Sequence, residues 1–423
     1  MMKEIKREPR LLVLSNECLS QTTSNGRTLR NLLLGWDSDS VAQFHIREGQ
    51  GDYDVCKHYF CVTDRRALEM FLGRTGCRSC FAAAGRGESP GKHALTMLAR
   101  EFVWRTGRWV TQEFRDWIDD FAPELVLLQA GDCAFMFLIA AGIAKARKIP
   151  LVIYNSEGYY FKDYDYFRGK GPAHWSYPLF RNYYRGIFEQ TMQCAALSVY
   201  PCDPLKQAYD AAFGLPSVTL HTATEMRPDH RADRGESFVV SYLGNLGVGR
   251  AVPLMEIGRV LQRVSEAYHL DVYGKIPDDD VKAAFEACPG IRYQGFVPYE
   301  KVTEIMRRSD VLVHAENFDA FYREDIKFGF STKIADSLAS GTCFVLFAPE
   351  ELACSRYLSD HEAAYVVTGR EDLEDTFRRL AQCPPARGRY LERACKLVLE
   401  NHDARKNAER FRTYLCEIVE GQP

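Results

Sequence analysis

The run Ser309-Asp310-Val311-Leu312-Val313-His314 leads through a polar stretch into Gly329-Phe330-Ser331-Thr332-Lys333-Ile334-Ala335-Asp336-Ser337-Leu338-Ala339-Ser340-Gly341, and then into Thr342-Cys343-Phe344-Val345-Leu346-Phe347. Two short apolar runs around a helix-forming segment read as strand, loop, helix, strand. Ser331 or Thr332 supplies a helix N-cap, and Gly341 suits the left-handed position that closes a helix. The unit is βαβ, with a polar, basic loop at the carboxyl end of a strand, where α/β sheets bind ligands. Backbone N–H groups at the helix start, with Lys333 just inside it, suit a phosphate. Asp336 follows on the same helical face. An anion site with a carboxylate one turn away fits a nucleoside diphosphate and its ribose.

Working outward, strands alternate with helices in two series, which means parallel sheets. The second series opens at Phe238–Leu243. It continues through a helix near Met255–Ala267, strand Leu270–Tyr273, a helix near Asp279–Ala287, strand Ile291–Gln294 and a helix near Tyr299–Arg308. The first series begins with strand Leu11–Ser15, a loop rich in Ser, Thr, Asn and Gly (Ser20–Gly26) and a helix Thr28–Leu34. Strands recur at Leu125–Gln129, Leu151–Tyr154 and Leu197–Tyr200. The charged stretch Arg227–Glu236 reads as a linker, and the tail from about Ala386 to Glu420 reads as charged helix. Ala134–Ala144, the most apolar run, is too short for a bilayer and reads as a core helix.

A glycine-rich loop, Gly244-Asn245-Leu246-Gly247-Val248-Gly249-Arg250, joins a strand to a helix. Glycines there let backbone approach a phosphate, and Arg250 adds a planar cationic fork. The glycine order is not that of a dinucleotide fingerprint. The next strand ends Val272-Tyr273-Gly274-Lys275, with no acidic residue for a ribose, which speaks against NAD.

Composition narrows the classes. The 423 residues suggest two or three domains. Hydrophobic content of 46% supports full cores. With 54 basic against 57 acidic side chains, nothing calls for a nucleic-acid partner. Fourteen scattered cysteines with no secretory leader fit reduced thiols in a cytoplasmic protein. Cys77-Arg78-Ser79-Cys80 is a lone CxxC without a second pair.

These motifs carry a family resemblance. Residues from about Phe238 to Leu346 resemble the nucleotide-sugar domain of GT-B fold glycosyltransferases of the large retaining group called family 4. The matching pieces are Gly244-Asn245-Leu246…Arg250, Val272-Tyr273-Gly274, Gly295-Phe296-Val297-Pro298, Ser309–Val313 and Lys333–Gly341, in the family's order. The first half resembles the family's acceptor domain through Asn25-Gly26, Leu151–Tyr154 and Leu197–Leu205. The resemblance implies two Rossmann-like α/β domains facing across a cleft: 1–232 on the acceptor side, 233–398 for the nucleotide sugar, and a terminal helix, 399–423, packing back on the first.

The resemblance also implies roles. Arg250 and Lys333, with Lys275 as the second choice of lysine, would hold the donor diphosphate. Asp336 would bind the ribose, Phe296 and Val297 would meet the base, and Gly26 would approach the donor. Gly244, Asn245, Gly247, Ser331 and Thr332 would line the diphosphate. The family's first paired glutamate would fall at Phe328, with Glu324 and Asp325 nearby. Glu157, in Asn155-Ser156-Glu157-Gly158, stands about where the family often has an active-site histidine. It is either a contact to the transferred sugar or acceptor, or a strand-end cap.

Other features leave alternatives open. Tyr159–Phe188 holds twelve aromatics and five Lys or Arg. That composition suits an acceptor cleft near a membrane, or ordinary packing. The basic residues Arg65, Arg66, Arg74, Arg78, Arg86 and Lys92 suit either anionic lipid or solvent. The DxD triplets at Asp37, Asp52 and Asp163 do not close an apolar strand, so no metal is assigned, and no cofactor is expected beyond the donor itself, a UDP-sugar foremost.

The reading is a glycosyltransferase moving a sugar from a nucleotide-diphosphate sugar to a glycan or lipid-linked acceptor with retention, in polysaccharide or glycoconjugate assembly. It would be cytoplasmic, or peripheral at the inner face of the membrane. The rivals are a non-catalytic GT-B subunit that binds glycan or a partner, and a nucleotide-sugar epimerase of the same fold.

Overall fold

Runs such as Leu11–Ser15, Leu125–Ala130, Leu151–Asn155 and Cys343–Phe347 are buried at every position. Continuous burial, rather than alternation, marks strands covered on both faces by helices, as in parallel sheets. The computed structural model describes residues 7–74, 92–228 and 238–421. The chain divides into two compact units: Met1–Leu220 with Arg405–Pro423, and His221–Ala404. Cys77–Cys80, Arg78, Arg86 and most of the Arg227–Glu236 stretch lie outside the described residues.

Among the described residues, the first unit holds seven parallel strands in the order β3-β2-β1-β4-β5-β6-β7. They are β1 (Leu11–Ser15), β2 (Val41–His45), β3 (His58–Cys61), β4 (Leu125–Ala130), β5 (Leu151–Asn155), β6 (Leu197–Tyr200) and β7 (Ser217–Thr219). β2 and β3 fall in a region the sequence reading left without strands. β2 carries Gln43 and His45 where a buried strand should be apolar, yet both are buried. Gln43 is satisfied by the turn after β1: its amide donates to Ser15 Oγ at 2.6 Å and accepts from Leu19 N at 2.8 Å. The helix after β1 runs Ser24–Leu32, so Asn25 and Gly26 form its first turn and are not a loop.

The terminal helix Ala404–Val419 supplies Phe411 and Leu415 to the same core as Leu11, Leu125 and Val152. Arg412 on this helix pairs with Glu8 at 2.9 Å.

In the second unit the order is β10-β9-β8-β11-β12-β13, again parallel. The strands are β8 (Val240–Leu243), β9 (Leu270–Tyr273), β10 (Ile291–Gly295), β11 (Val311–Ala315), β12 (Cys343–Phe347) and β13 (Tyr365–Val367). Strand order reverses between β8 and β11, which opens a crevice at their carboxyl ends. The stretch between β11 and the Thr332–Ala339 helix contains a short helix, Ala320–Asp325, capped by Asp319, where the sequence read as a plain loop. A π-turn at Val398–His402 ends in a buried histidine. His402 Nδ1 meets Thr222 O at 2.7 Å and Nε2 meets Tyr357 Oη at 3.0 Å.

Candidate functional site

Parallel strands deliver every following loop to one sheet edge, so the second unit gathers its candidate residues there. After β8 comes the glycine loop. Gly244 N donates to Tyr273 O at 3.0 Å, closing β8 against the end of β9. Gly274 tolerates no side chain, because a Cβ would stand 2.1 Å from Gly244 O. Tyr242 Oη donates to Asn245 O at 2.7 Å, and Asn245 Oδ1 accepts from Gly247 N at 2.9 Å. Gly249 has a φ of +71°, a conformation that disfavours any Cβ. A Cβ there would also stand 2.5 Å from the Tyr322 ring, and Asn317 Nδ2 donates to Gly249 O at 2.8 Å. The loop is thus shaped by the segment that leaves β11, across the crevice.

Arg250 closes the loop and begins the Ala251–Val264 helix. Its fork is engaged. Nε donates to Glu316 Oε2 at 2.9 Å and Nη2 to Glu316 Oε1 at 2.7 Å. Nη1 lies 3.4 Å from Asn245 O. Both side chains are nearly covered, 13% and 6% exposed. Behind the carboxylate, His314 Nε2 lies 2.9 Å from Glu316 Oε1. Burial works against the Glu316 charge, but Arg250 and the His314 hydrogen bond outweigh it and hold the carboxyl down at about 2. Burial also opposes the Arg250 charge, and Glu316 more than offsets that.

At the ends of β9 and β10, Lys275 Nζ stands 5.6 Å from the Phe296 ring centre. Phe296 is 65% exposed, a large apolar face left to solvent, and Val297 beside it is half-buried. Ser331 caps the Thr332–Ala339 helix, its Oγ accepting from Lys333 N at 3.3 Å. In a βαβ crossover this N-terminus lies on the same edge as the glycine loop. Thr332 and Lys333 are half-buried, whereas Asp336 one turn on is fully covered. Near Phe328, Glu324 pairs with Lys327 at 3.8 Å.

Gly26 and Glu157 belong to the first unit. Gly26 N donates to Thr23 Oγ1 at 3.2 Å, and a Cβ there would stand 2.3 Å from Cys18 O. Glu157 follows β5, half exposed, with Lys162 Nζ at 3.8 Å. Five of the six DxD carboxylates have partners within the first unit: Asp37 caps a short turn, Asp39 pairs with Lys57, Asp52 with Arg30, Asp163 with Arg181 and Arg185, and Asp165 with His174. The aromatic stretch is largely internal: Tyr177, Phe180, Tyr184 and Phe188 are buried, and Trp175 and Leu179 are exposed.

Glu316, His314, Asn317 and Tyr322 are site residues the sequence reading missed. A signal existed. Val313-His314-Ala315-Glu316 ends an otherwise apolar strand with two polar residues at i and i+2, on one face, and a charge so placed needs a partner.

Residues 256–413 match the family model described as glycosyl transferase-like. A search of curated proteins finds no match. Among solved structures, HepE from Anabaena in complex with UDP superposes with a TM-score of 0.62 at 9% identity, covering 96% of this chain and 99% of that one. Sucrose-phosphate synthase from Thermosynechococcus elongatus gives 0.64 at 11%, covering 98% and 100%. WaaG, described as a glycosyltransferase involved in lipopolysaccharide biosynthesis, gives 0.57 at 11%, covering 97% and 100%. At these identities the likeness carries the fold. The fold is therefore GT-B, and within it the glycosyl transferase-like match falls on residues 256–413. Among the described residues no helix is long and apolar enough to cross a membrane.

Proposed function

We propose that the protein transfers a sugar from a UDP-sugar to a glycan or lipid-linked acceptor, with retention, in polysaccharide or glycoconjugate assembly. The observation that carries the reading is one sheet edge holding the Arg250 loop, the Lys275–Phe296 pair and the helix start with Lys333. UDP as the nucleotide is supported by HepE, whose structure is described as a UDP complex. Glycan assembly is supported by the description of WaaG, and retention by the family resemblance.

In this reading Arg250, Lys333 and the N–H groups after Ser331 take up the negative charge that develops on UDP as the sugar–phosphate bond breaks. Preorganised donors act there without reorganising during the step. Gly244, Asn245, Gly247, Ser331 and Thr332 line the diphosphate, with Lys275 beside it. Phe296 and Val297 meet the uracil, and Asp336 is the residue the family resemblance assigns to the ribose, although its side chain is fully covered in this structure. Gly26 approaches the donor and Glu157 contacts the transferred sugar or acceptor. Peripheral membrane contact belongs to Trp175 and Leu179 and not to the internal aromatics. Liposome flotation of W175S/L179S tests it, and binding that is absent, or survives the change, ends that part of the reading.

The direct test is a thermal-shift panel of UDP, GDP, ADP, CDP and NAD, with and without a divalent ion. A rise in melting temperature with UDP is expected in either condition. No shift with any diphosphate would favour the non-catalytic GT-B subunit, and a shift with NAD alone would end the transferase reading. In UDP-sugar turnover, Lys333→Ala should cost far more than an exposed change such as Lys301→Ala. Equal turnover would remove Lys333 from its role.

A further inference from the structure

Arg250 meets Glu316 along one side of its guanidinium, through Nε and Nη2. A guanidinium carries five N–H bonds fixed in one plane. The side-on pair uses the Nε–H and one Nη2–H. The second Nη2–H and the Nη1 hydrogens remain at the far end of the plane. That end lies against the glycine loop, since Nη1 stands 3.4 Å from Asn245 O, a distance too long to hold it firmly. Two parallel N–H groups there match the spacing of phosphate oxygens.

We infer that Glu316, backed by His314, is a positioning residue that turns the free end of the Arg250 fork toward the donor diphosphate. The inference rests on the donor reading above and adds a residue to it. An unrestrained arginine side chain has many rotamers to lose on binding, and the pair with Glu316 removes that freedom before the ligand arrives. The same pair nearly cancels the Arg250 charge. Arg250 then contributes directed hydrogen bonds more than net attraction, and net positive charge falls to Lys333. A lysine at 250 could not present one fixed pair of N–H groups to the carboxylate and another to the diphosphate, because its three donors are not arranged as a planar fork.

Glu316→Asp isolates geometry from charge: it keeps the carboxylate but withdraws it by one methylene. The probes are UDP and uridine, titrated calorimetrically into the full chain, with amide exchange confirming that the second unit remains folded. In E316D, UDP affinity should fall roughly 10- to 100-fold, the value of lost hydrogen bonds to a charged group, while uridine affinity stays unchanged. An equal loss for both ligands would show a merely structural role and overturn the inference, as would an unchanged UDP-to-uridine ratio. Glu316→Gln supplies the second arm. If E316Q tightens UDP binding, Glu316 only damps charge, and the positioning role is wrong. A wild-type chain that fails to prefer UDP over uridine refutes the donor reading itself, and the inference with it.

Discussion

The Arg250–Glu316 pair sets a stability prediction whose size follows from its burial. Replacing Arg250 with Met keeps much of the side chain's volume and removes the charge. Glu316 would then remain 6% exposed, with His314 as its hydrogen-bond partner. Burial works against its charge, and Arg250, first among the groups that hold the carboxyl down near 2, would be gone. Breaking a buried ion pair by removing one partner typically costs about 3–5 kcal/mol. R250M should therefore destabilise the second unit by about 3 kcal/mol at pH 7. The double variant R250M/E316Q should recover most of that loss, because no charge is left stranded. The pH dependence has a definite sign. A carboxyl depressed in the folded state contributes stability above its unfolded value of 4.5 and loses it as pH falls toward 2. The gap between wild type and R250M should thus shrink across that window.

The readout must resolve the units, since one unfolding free energy is not defined for a chain of two. All five tryptophans (Trp36, Trp104, Trp109, Trp117, Trp175) lie in the first unit, so their fluorescence reports there. Hydrogen exchange by mass spectrometry on peptides covering Val240–Val264 and Val311–Ala315 reads the second. R250M protection within about 1 kcal/mol of wild type, or a double variant as unstable as the two single changes added, would refute the reasoning.

Three further outcomes follow. Burial holds His402 neutral, down at about 3, so its contribution is present above the unfolded value near 6.5 and lost as pH falls below it; His402→Gln should flatten the acid slope of second-unit exchange protection between pH 6.5 and 5, and an unchanged slope would count against it. Burial pushes the Glu101 carboxyl up to about 7 although its Oε1 accepts from Ala134 N at 2.7 Å; a raised acid loses stability as pH climbs from 4.5 through 7, so Glu101→Gln should approach or exceed wild type at pH 8 while being neutral or costly at pH 5, read by tryptophan fluorescence in urea. Phe411→Ala should cost the first unit about 3–5 kcal/mol, because the ring is fully buried in that unit's core, and the same fluorescence melt would show it; a loss confined to second-unit exchange would contradict the packing.

The fold was legible where burial leaves one kind of side chain. β1, β6, β9 and β11 are short apolar runs, and their ends could be read to within a residue because polar turn chemistry follows them at once. β2 is not legible, because Gln43 and His45 take the place of apolar side chains: Gln43 finds its partners in the turn after β1, distant in sequence, and His45 in the carbonyl of Arg47 just past the strand. The Ala320–Asp325 helix was missed for a related reason. Six residues carry no usable periodicity, and the Asp319 cap resembles any turn aspartate.

The candidate site divides along the same line. Glycines and a basic residue beside a strand end make Gly244, Asn245, Gly247 and Arg250 candidates for a phosphate loop from spacing alone. What holds that loop in shape could not. Glu316 and Asn317 follow β11, some seventy residues after the loop they restrain, and only the reversal of strand order between β8 and β11 makes them neighbours. The consequence changes the chemistry expected of Arg250. From sequence it is a free cation facing a diphosphate. In the folded chain it is half of a nearly neutral pair, and its value lies in which N–H groups remain and where they point. In the proposed donor site the net charge is then left to Lys333 and the helix start around it, and we predict that removing Arg250 costs direction whereas removing Lys333 costs attraction.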